Sequence, residues 1–328
     1  MTHLPQPPDP APHGPPASHP AARAAAPPDA PPGVPPGLRH VRAGEVELCV
    51  RDAGAGPAVV LLHGTTASLG VWDAVVARLG DAVRTVAVDQ RGHGRSGKPA
   101  DGCTAAAYTA AAYTADVLAL IRALDCGPVV AVGHSLGARN AVVLAAEHPE
   151  VVAGVVAVDY TPYVEPAVLD ALETRVRGGD RTFASGPDVE AYLRERYPLL
   201  PADAVRRRRR YGYAPAGAGP ELRPLADPGA MARTVDGLRR DFAAAAGAVD
   251  VPVTLLRGEH SAIVSPRAFA ATRELRPDFR AVQLPGLDHY VPEEDPQTVA
   301  DEIVRMLDRT TGRPDPRTAT ERTEETCP

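Results

Sequence analysis

Gly133-His134-Ser135-Leu136-Gly137 carries the clearest chemical signal in this sequence. It follows the apolar run Val129–Val132 and precedes an alanine-rich stretch starting near Ala138, so the serine sits in a turn between a strand and a helix. Such a turn is so tight that side chains at the two glycine positions would clash, and the strain holds the serine hydroxyl clear of the backbone. A serine hydroxyl is a poor nucleophile until a base takes its proton, and a carboxylate must orient that base. The chain must therefore supply a histidine and an acid downstream.

The segment Leu284-Pro-Gly-Leu-Asp-His289 places a histidine in the loop between the last strand candidate and the last helix. Of its competitors, His3, His13 and His19 lie in a proline-rich leader, and His40, His148 and His260 have no matching context. Asp288 adjoins His289, but chain neighbours generally point apart, so it is read as loop chemistry.

The elements that must hold these residues follow from the apolar pattern. Runs at Ala58–Leu62, Val83–Val88, Val129–Val132, Val152–Val158 and Val253–Leu256 are short and almost continuous, as expected of strands buried on both faces. Helix candidates fall between them near Val71–Leu79, Tyr113–Leu124, Ala138–Glu147 and Pro266–Leu275, and a strand near Val282–Leu284 and a helix at Val299–Leu307 follow. This alternation predicts an α/β fold, a mostly parallel central sheet with helices on both faces.

Fourteen of the 36 prolines fall between Met1 and Pro36, so residues 1–36 are read as a disordered leader. The core is expected over residues 37–160 and 249–312, with a polar tail over 313–328. The stretch Thr161–Ala248 is too long for an ordinary connection and predicts an inserted helical lid. Inside it, the five arginines Arg206–Arg210 are read as a solvated helix face, with anion binding as the alternative. The doubled pentapeptide Thr104–Tyr108 and Thr109–Tyr113 is read as a local duplication, far below any repeat period.

Composition removes several function classes. A net charge of −6 gives no electrostatic reason for a nucleic-acid or anionic-membrane partner. No apolar run approaches the roughly 18 residues that span a bilayer. The start of the chain lacks the pattern of a secretory signal, so a cytoplasmic protein is expected. Cys49, Cys103, Cys126 and Cys327 are too scattered for a zinc site or a disulfide framework. No metal and no organic cofactor is expected.

With these motifs in order, the chain resembles a lidded member of the α/β-hydrolase superfamily from Gly37 to Leu307. His63-Gly64-Thr65 resembles the oxyanion loop of that family, and Asp89-Gln-Arg-Gly-His-Gly-Arg-Ser96 resembles the turn after its next strand. The resemblance implies that Ser135 is the nucleophile, His289 the base, and the backbone N–H groups of Thr65 and Leu136 the oxyanion hole. His63 and His93 are read as structural. Dehalogenases and epoxide hydrolases of this fold attack with aspartate at the position of Ser135, and are set aside.

The acid departs from the commonest pattern. The matching loop reads Gly258-Glu-His-Ser-Ala-Ile-Val264, with Ser261 where aspartate usually stands. Some branches of the family place the acid at the end of the preceding strand, which here is Asp159, and the order Ser135, Asp159, His289 is kept. Asp159 is the chosen acid; Glu259, another residue or a Ser-His dyad stay open. The implied activity is hydrolysis of a carboxylic ester or related small-molecule acyl substrate through an acyl-enzyme. The alternatives are a cyclase, acyl transferase or carbon–carbon bond hydrolase of secondary metabolism, or a ligand receptor built on the same fold.

Overall fold

The computed structural model describes residues 34–99 and 102–312. The tail and all but the last three residues of the expected leader lie outside them.

Eight strands form one sheet in the order β1-β2-β4-β3-β5-β6-β9-β10. They are β1 (Arg39–Ala43), β2 (Val46–Ala53), β3 (Ala58–Leu62), β4 (Arg84–Val88), β5 (Val129–His134), β6 (Val152–Val158), β9 (Val253–Gly258) and β10 (Arg280–Leu284). Strand β2 runs antiparallel to β1 and β4, and every other pairing is parallel. The sheet is therefore mostly parallel, as the alternating pattern predicts. The hairpin β1–β2 was not anticipated, because charged Arg39, Arg42, Glu47 and Arg51 interrupt its apolar residues at the sheet edge.

The side-chain period of two divides each central strand between two cores. In β5, Val129 and Ala131 join one core, while Val130 and Val132 join the other. Helices α2 (Ala110–Ala123) and α3 (Leu136–Glu147) cover the first face through residues such as Leu120, Ala141 and Val142. On the second face, α1 (Asp73–Leu79) packs with α11 (Pro296–Thr311), whose Val299, Ile303, Met306 and Leu307 make one helical stripe. Because β5 is buried on both sides, the turn at its carboxyl end has little freedom to shift. Helix α9 (Pro266–Leu275) lies between β9 and β10, and the single turn α10 (Val291–Glu294) precedes α11.

Between β6 and β9 the chain forms α4 (Pro166–Arg177), α5 (Gly186–Arg196), α6 (Ala202–Gly212), the hairpin β7 (Tyr213–Pro215) with β8 (Leu222–Pro224), α7 (Pro228–Leu238) and α8 (Ala243–Gly247). This segment has an apolar cluster of its own around Phe183, Val189, Leu193 and Val205. A second cluster joins Met231 and Val235 of α7 to Tyr113 and to Leu136, the residue after Ser135. The arginine run is not a uniformly solvated face. Arg206 and Arg210 are exposed, but Arg208 turns inward and pairs with buried Glu293 of α10. Among the described residues, no helix is long and apolar enough to cross a membrane.

Candidate active site

Ser135 sits between β5 and α3 with φ of +52°, a left-handed backbone rare outside glycine. Its own N–H donates to Val158 O of β6 at 2.9 Å, and its carbonyl accepts the first helical bonds from Ala138 and Arg139. The flanking glycines are required by packing. A Cβ on Gly137 would run into the carbonyl oxygens of Leu62 and His63, and one on Gly133 would strike the backbone of Gly137.

Asp159 follows β6, also with positive φ, at +49°. Its carboxylate is 1% exposed and fully engaged: Oδ1 accepts from Gly258 N–H at 2.9 Å and Oδ2 from Ser261 Oγ at 2.6 Å. Oδ2 also faces His289 Nδ1 at 2.5 Å. With Nδ1–H donating to this carboxylate, Nε2 is the ring nitrogen left to act on Ser135, and both residues line one chamber. The structure thus brings Ser135, His289 and Asp159 to one place. Glu259 is exposed and accepts instead from Gly286 N–H, while Asp288 donates its backbone N–H to Glu294.

Thr65 borders the same chamber, and Leu136 opens α3. Neither amide N–H has a backbone acceptor among the described residues, so both can serve a developing oxyanion. The loop carrying Thr65 is fixed by a buried chain of side chains. Asn140 Nδ2 donates to Gln90 Oε1 at 2.6 Å, Gln90 Nε2 to His63 O at 2.6 Å, and Gln90 N–H to His63 Nε2 at 3.1 Å. Asn140 has no local sequence signal, and Gln90, though it lies in the turn Asp89–Ser96, acquires its role only through partners distant in the chain.

Burial keeps the supporting histidines neutral. It pushes His63 and His134 well below the usual histidine range and His93 down to about 4. Neutral His134 donates Nε2–H to His289 O at 2.8 Å and tilts its ring against His289, with centroids 4.6 Å apart. Burial raises Asp89 to about 6 although it accepts from Leu69 and Arg95 N–H.

Three arginines of the β6–β9 segment line the same chamber as Ser135: Arg175, Arg196 and Arg208. Arg208 is paired with Glu293 and stacks on Tyr197, its guanidinium 4.2 Å from the ring centroid. Arg175 and Arg196 have no carboxylate partner among the described residues; each donates to the other's backbone carbonyl at 2.8 Å. Burial would raise the Tyr197 phenol, but Arg208, Arg196 and Arg175 outweigh it and hold the phenol below its ordinary value. The chamber is thus strongly electropositive. Sequence reasoning missed Arg175 and Arg196 because one arginine looks like another in an arginine-rich insertion, whereas Arg208 fell within the run for which anion binding was the alternative reading. No group of three or more His, Cys, Asp or Glu side chains among the described residues is arranged to hold a metal ion.

A positive-φ serine after a buried central strand, an aspartate after the next strand and a histidine before the last helix follow one another in the order found in the α/β-hydrolase fold. The alpha/beta hydrolase family model matches residues 59–302, and the chain belongs to that family and is a hydrolase. It is 47% identical over 270 residues to a 2-(acetamidomethylene)succinate hydrolase of Mesorhizobium japonicum, covering 82% of this chain and 95% of the relative. An esterase of Mycobacterium tuberculosis is 30% identical over 282 residues, covering 83% and 89%. The crystal structure of an E-2-(acetamidomethylene)succinate hydrolase superposes with a TM-score of 0.78 at 47% identity, covering 83% of this chain and 98% of that one. The compound in that relative's name contains no ester. The likeness therefore favours the alternative reading of the sequence, an enzyme of this fold working beyond plain esters, over the simple esterase reading.

Proposed function

We propose that this protein hydrolyses a small acyl substrate bearing two carboxylates, of the 2-(acetamidomethylene)succinate kind. The observation that carries the reading is the pair Arg175 and Arg196, cations without a carboxylate partner in the chamber that holds Ser135 and His289. A dianion meets there the charge that the protein leaves unbalanced.

In this reading His289 Nε2 takes the proton of Ser135 Oγ as the oxygen bonds to the acyl carbon, and the Thr65 and Leu136 N–H groups hold the oxyanion. Asp159, held in place by Gly258 N–H and Ser261 Oγ, orients the imidazole and balances its charge. Collapse breaks the bond from the acyl carbon to nitrogen, and His289 returns the proton to that nitrogen. The nitrogen of such an enamide is conjugated through the double bond to a carboxylate, so it leaves more readily than an alkyl amine. Water, deprotonated by His289, then attacks the Ser135 ester, releasing the carboxylic acid and restoring the serine. Residues 161–248 serve as the lid, presenting the arginines. The substrate is a soluble small molecule and the expected compartment is the cytoplasm; no metal or organic cofactor enters a step.

The test is release of acetate from 2-(acetamidomethylene)succinate, compared with 4-nitrophenyl acetate. The reading requires the dianion to be preferred in kcat/KM by at least about 100-fold, the scale of two charge-assisted hydrogen bonds. Preference for the neutral ester would overturn it.

A further inference from the structure

Thr65 carries a side-chain donor beside the backbone N–H assigned to the oxyanion. Its Oγ1 is shielded from water and, among the described residues, is the only serine or threonine hydroxyl buried without a hydrogen-bond partner. Buried threonines elsewhere satisfy theirs locally: Thr234 donates to Ala230 O at 2.8 Å, Thr272 to Ala268 O at 2.8 Å and Thr161 to Tyr163 O at 2.9 Å. A hydroxyl taken from water without a replacement bond costs folding free energy. An orphan that persists in the chamber of Ser135 and His289 calls for an acceptor that arrives with the substrate.

The loop after β3 holds Thr65 against the nucleophile. A Cβ built on Gly64 would stand 3.3 Å from Ser135 Cβ and 2.9 Å from His134 Nδ1, so the chain passes directly beside the turn that carries Ser135. Ala67 N–H donates to Gly64 O at 3.2 Å and closes a turn with Thr65 and Thr66 at its corners. Thr66 takes a φ of +62°, a strained backbone for a β-branched residue, as expected where the surroundings enforce a functional geometry. Gln90 and Asn140 brace the same loop through His63.

Resting on the serine-hydrolase reading above, we propose that the Thr65 hydroxyl is a third donor to the oxyanion, so that Thr65 is a catalytic residue through its side chain as well as its main chain. Two of the three staggered rotamers about Cα–Cβ set a threonine Oγ1 gauche to its own nitrogen, where hydroxyl and N–H can converge on one acceptor. As Ser135 Oγ bonds to the acyl carbon, the carbonyl π electrons move onto the carbonyl oxygen. The hydroxyl donates to that oxygen, and its proton stays on Thr65 throughout. The bound substrate carries no such charge there, so the contact strengthens in the transition state. Since Oγ1–H has no internal acceptor, no bond has to break before it turns to the oxyanion.

The experiment compares the full chain with Thr65→Val, which keeps the shape and the N–H but has no hydroxyl, with the smaller Thr65→Ala, and with Thr65→Ser, which keeps the hydroxyl. Circular dichroism establishes folding, and fluorophosphonate labelling of Ser135 counts active sites. On 4-nitrophenyl acetate, Thr65→Val and Thr65→Ala should lose about 10–100-fold in kcat with KM within about threefold, and Thr65→Ser should stay within about fivefold of the parent. Methylboronic acid, whose tetrahedral adduct on Ser135 puts an anionic oxygen in the hole, should bind Thr65→Val more weakly by a similar factor. A kcat for Thr65→Val within about threefold of the parent overturns the proposal, as does an equal loss in Thr65→Ser, which would mark a packing role. A loss confined to dianionic substrates also overturns it, by assigning the hydroxyl to a substrate carboxylate. Each of these outcomes leaves Ser135 as the nucleophile. A parent enzyme with no label and no turnover on any ester overturns the serine-hydrolase reading and this proposal with it.

Discussion

Ser261 Oγ donates to Asp159 Oδ2 at 2.6 Å, the same oxygen that stands 2.5 Å from His289 Nδ1. The serine occupies the loop position where this family commonly keeps its acid, and it now serves an acid on the neighbouring strand. Its oxygen in turn accepts from Ile263 and Val264 N–H, at 3.2 and 3.0 Å, so the hydroxyl proton is committed to Asp159. The three residues form a chain that fixes the imidazole from behind.

Asp159→Asn should lower kcat by about 10⁴-fold, the scale of losing the orienting carboxylate from a serine triad. Ser261→Ala removes one of the hydrogen bonds to a carboxylate, worth about 1.5–3 kcal/mol, and should cost roughly tenfold or more in kcat. Glu259→Gln should stay within about twofold, the range of a residue outside the reacting unit. Steady-state kinetics on one activated ester decides; a larger loss for Glu259→Gln than for Asp159→Asn would reassign the acid.

Arg175→Met and Arg196→Met should each lower the ratio of kcat/KM for a dianionic substrate over a neutral ester by about 10–100-fold, the worth of one charge-assisted bond. Arg196→Lys should recover only part, because a point charge does not replace a planar fork. Equal losses on both substrates would show that these residues hold the pocket together and do not select charge.

What was legible in the sequence was what depends on near neighbours. Ser135 announced itself because its strand, its two glycines and its helix are contiguous, and His289 because its loop lies between recognisable elements. Asp159 became readable once its strand end was matched to the family, though Ser261 gave no sign of its bond to it. Arg208 was misjudged as part of a solvated run, since its inward turn depends on Glu293, 85 residues on. The Asn140–Gln90–His63 chain failed for the same reason: two neutral amides have no pattern until the sheet folds. Strand β2 escaped because edge strands carry charges that break the apolar alternation.

Glu293→Leu should destabilise the protein by about 3–5 kcal/mol, because it leaves the Arg208 charge buried without its counter-ion. Replacing both residues by apolar ones should recover much of the loss. Urea midpoints at pH 7 measure this; a single variant as stable as the parent would mean that Arg208 finds another partner or reaches water.

The buried histidines should cost the fold stability as the solution is acidified from pH 6.5 toward 4, while Asp89, raised to about 6, takes up its proton in the fold and works in the opposite sense. His93 is held down to about 4 in the fold against 6.5 for the free side chain. A depressed histidine stabilises the fold fully above 6.5, and loses that contribution as pH drops toward its folded value. For His93 the loss is about 3 kcal/mol. His63 and His134, also lowered by burial, act in the same direction. Urea midpoints across this range should show a shallower acid limb in His93→Gln; an unchanged slope would mean His93 is not the group responsible.

The reciprocal clasp between Arg175 and Arg196 ties the last turns of α4 and α5 together through their main chains. Both guanidinium groups are consequently immobilised when the chain folds, so their loss of rotamer freedom is not charged against binding. The same fixation makes their field a permanent property of the chamber, felt by an anion still in solution. Capture of a dianion should then be fast in dilute buffer and slow as ionic strength rises, while a neutral ester arrives at a rate indifferent to salt.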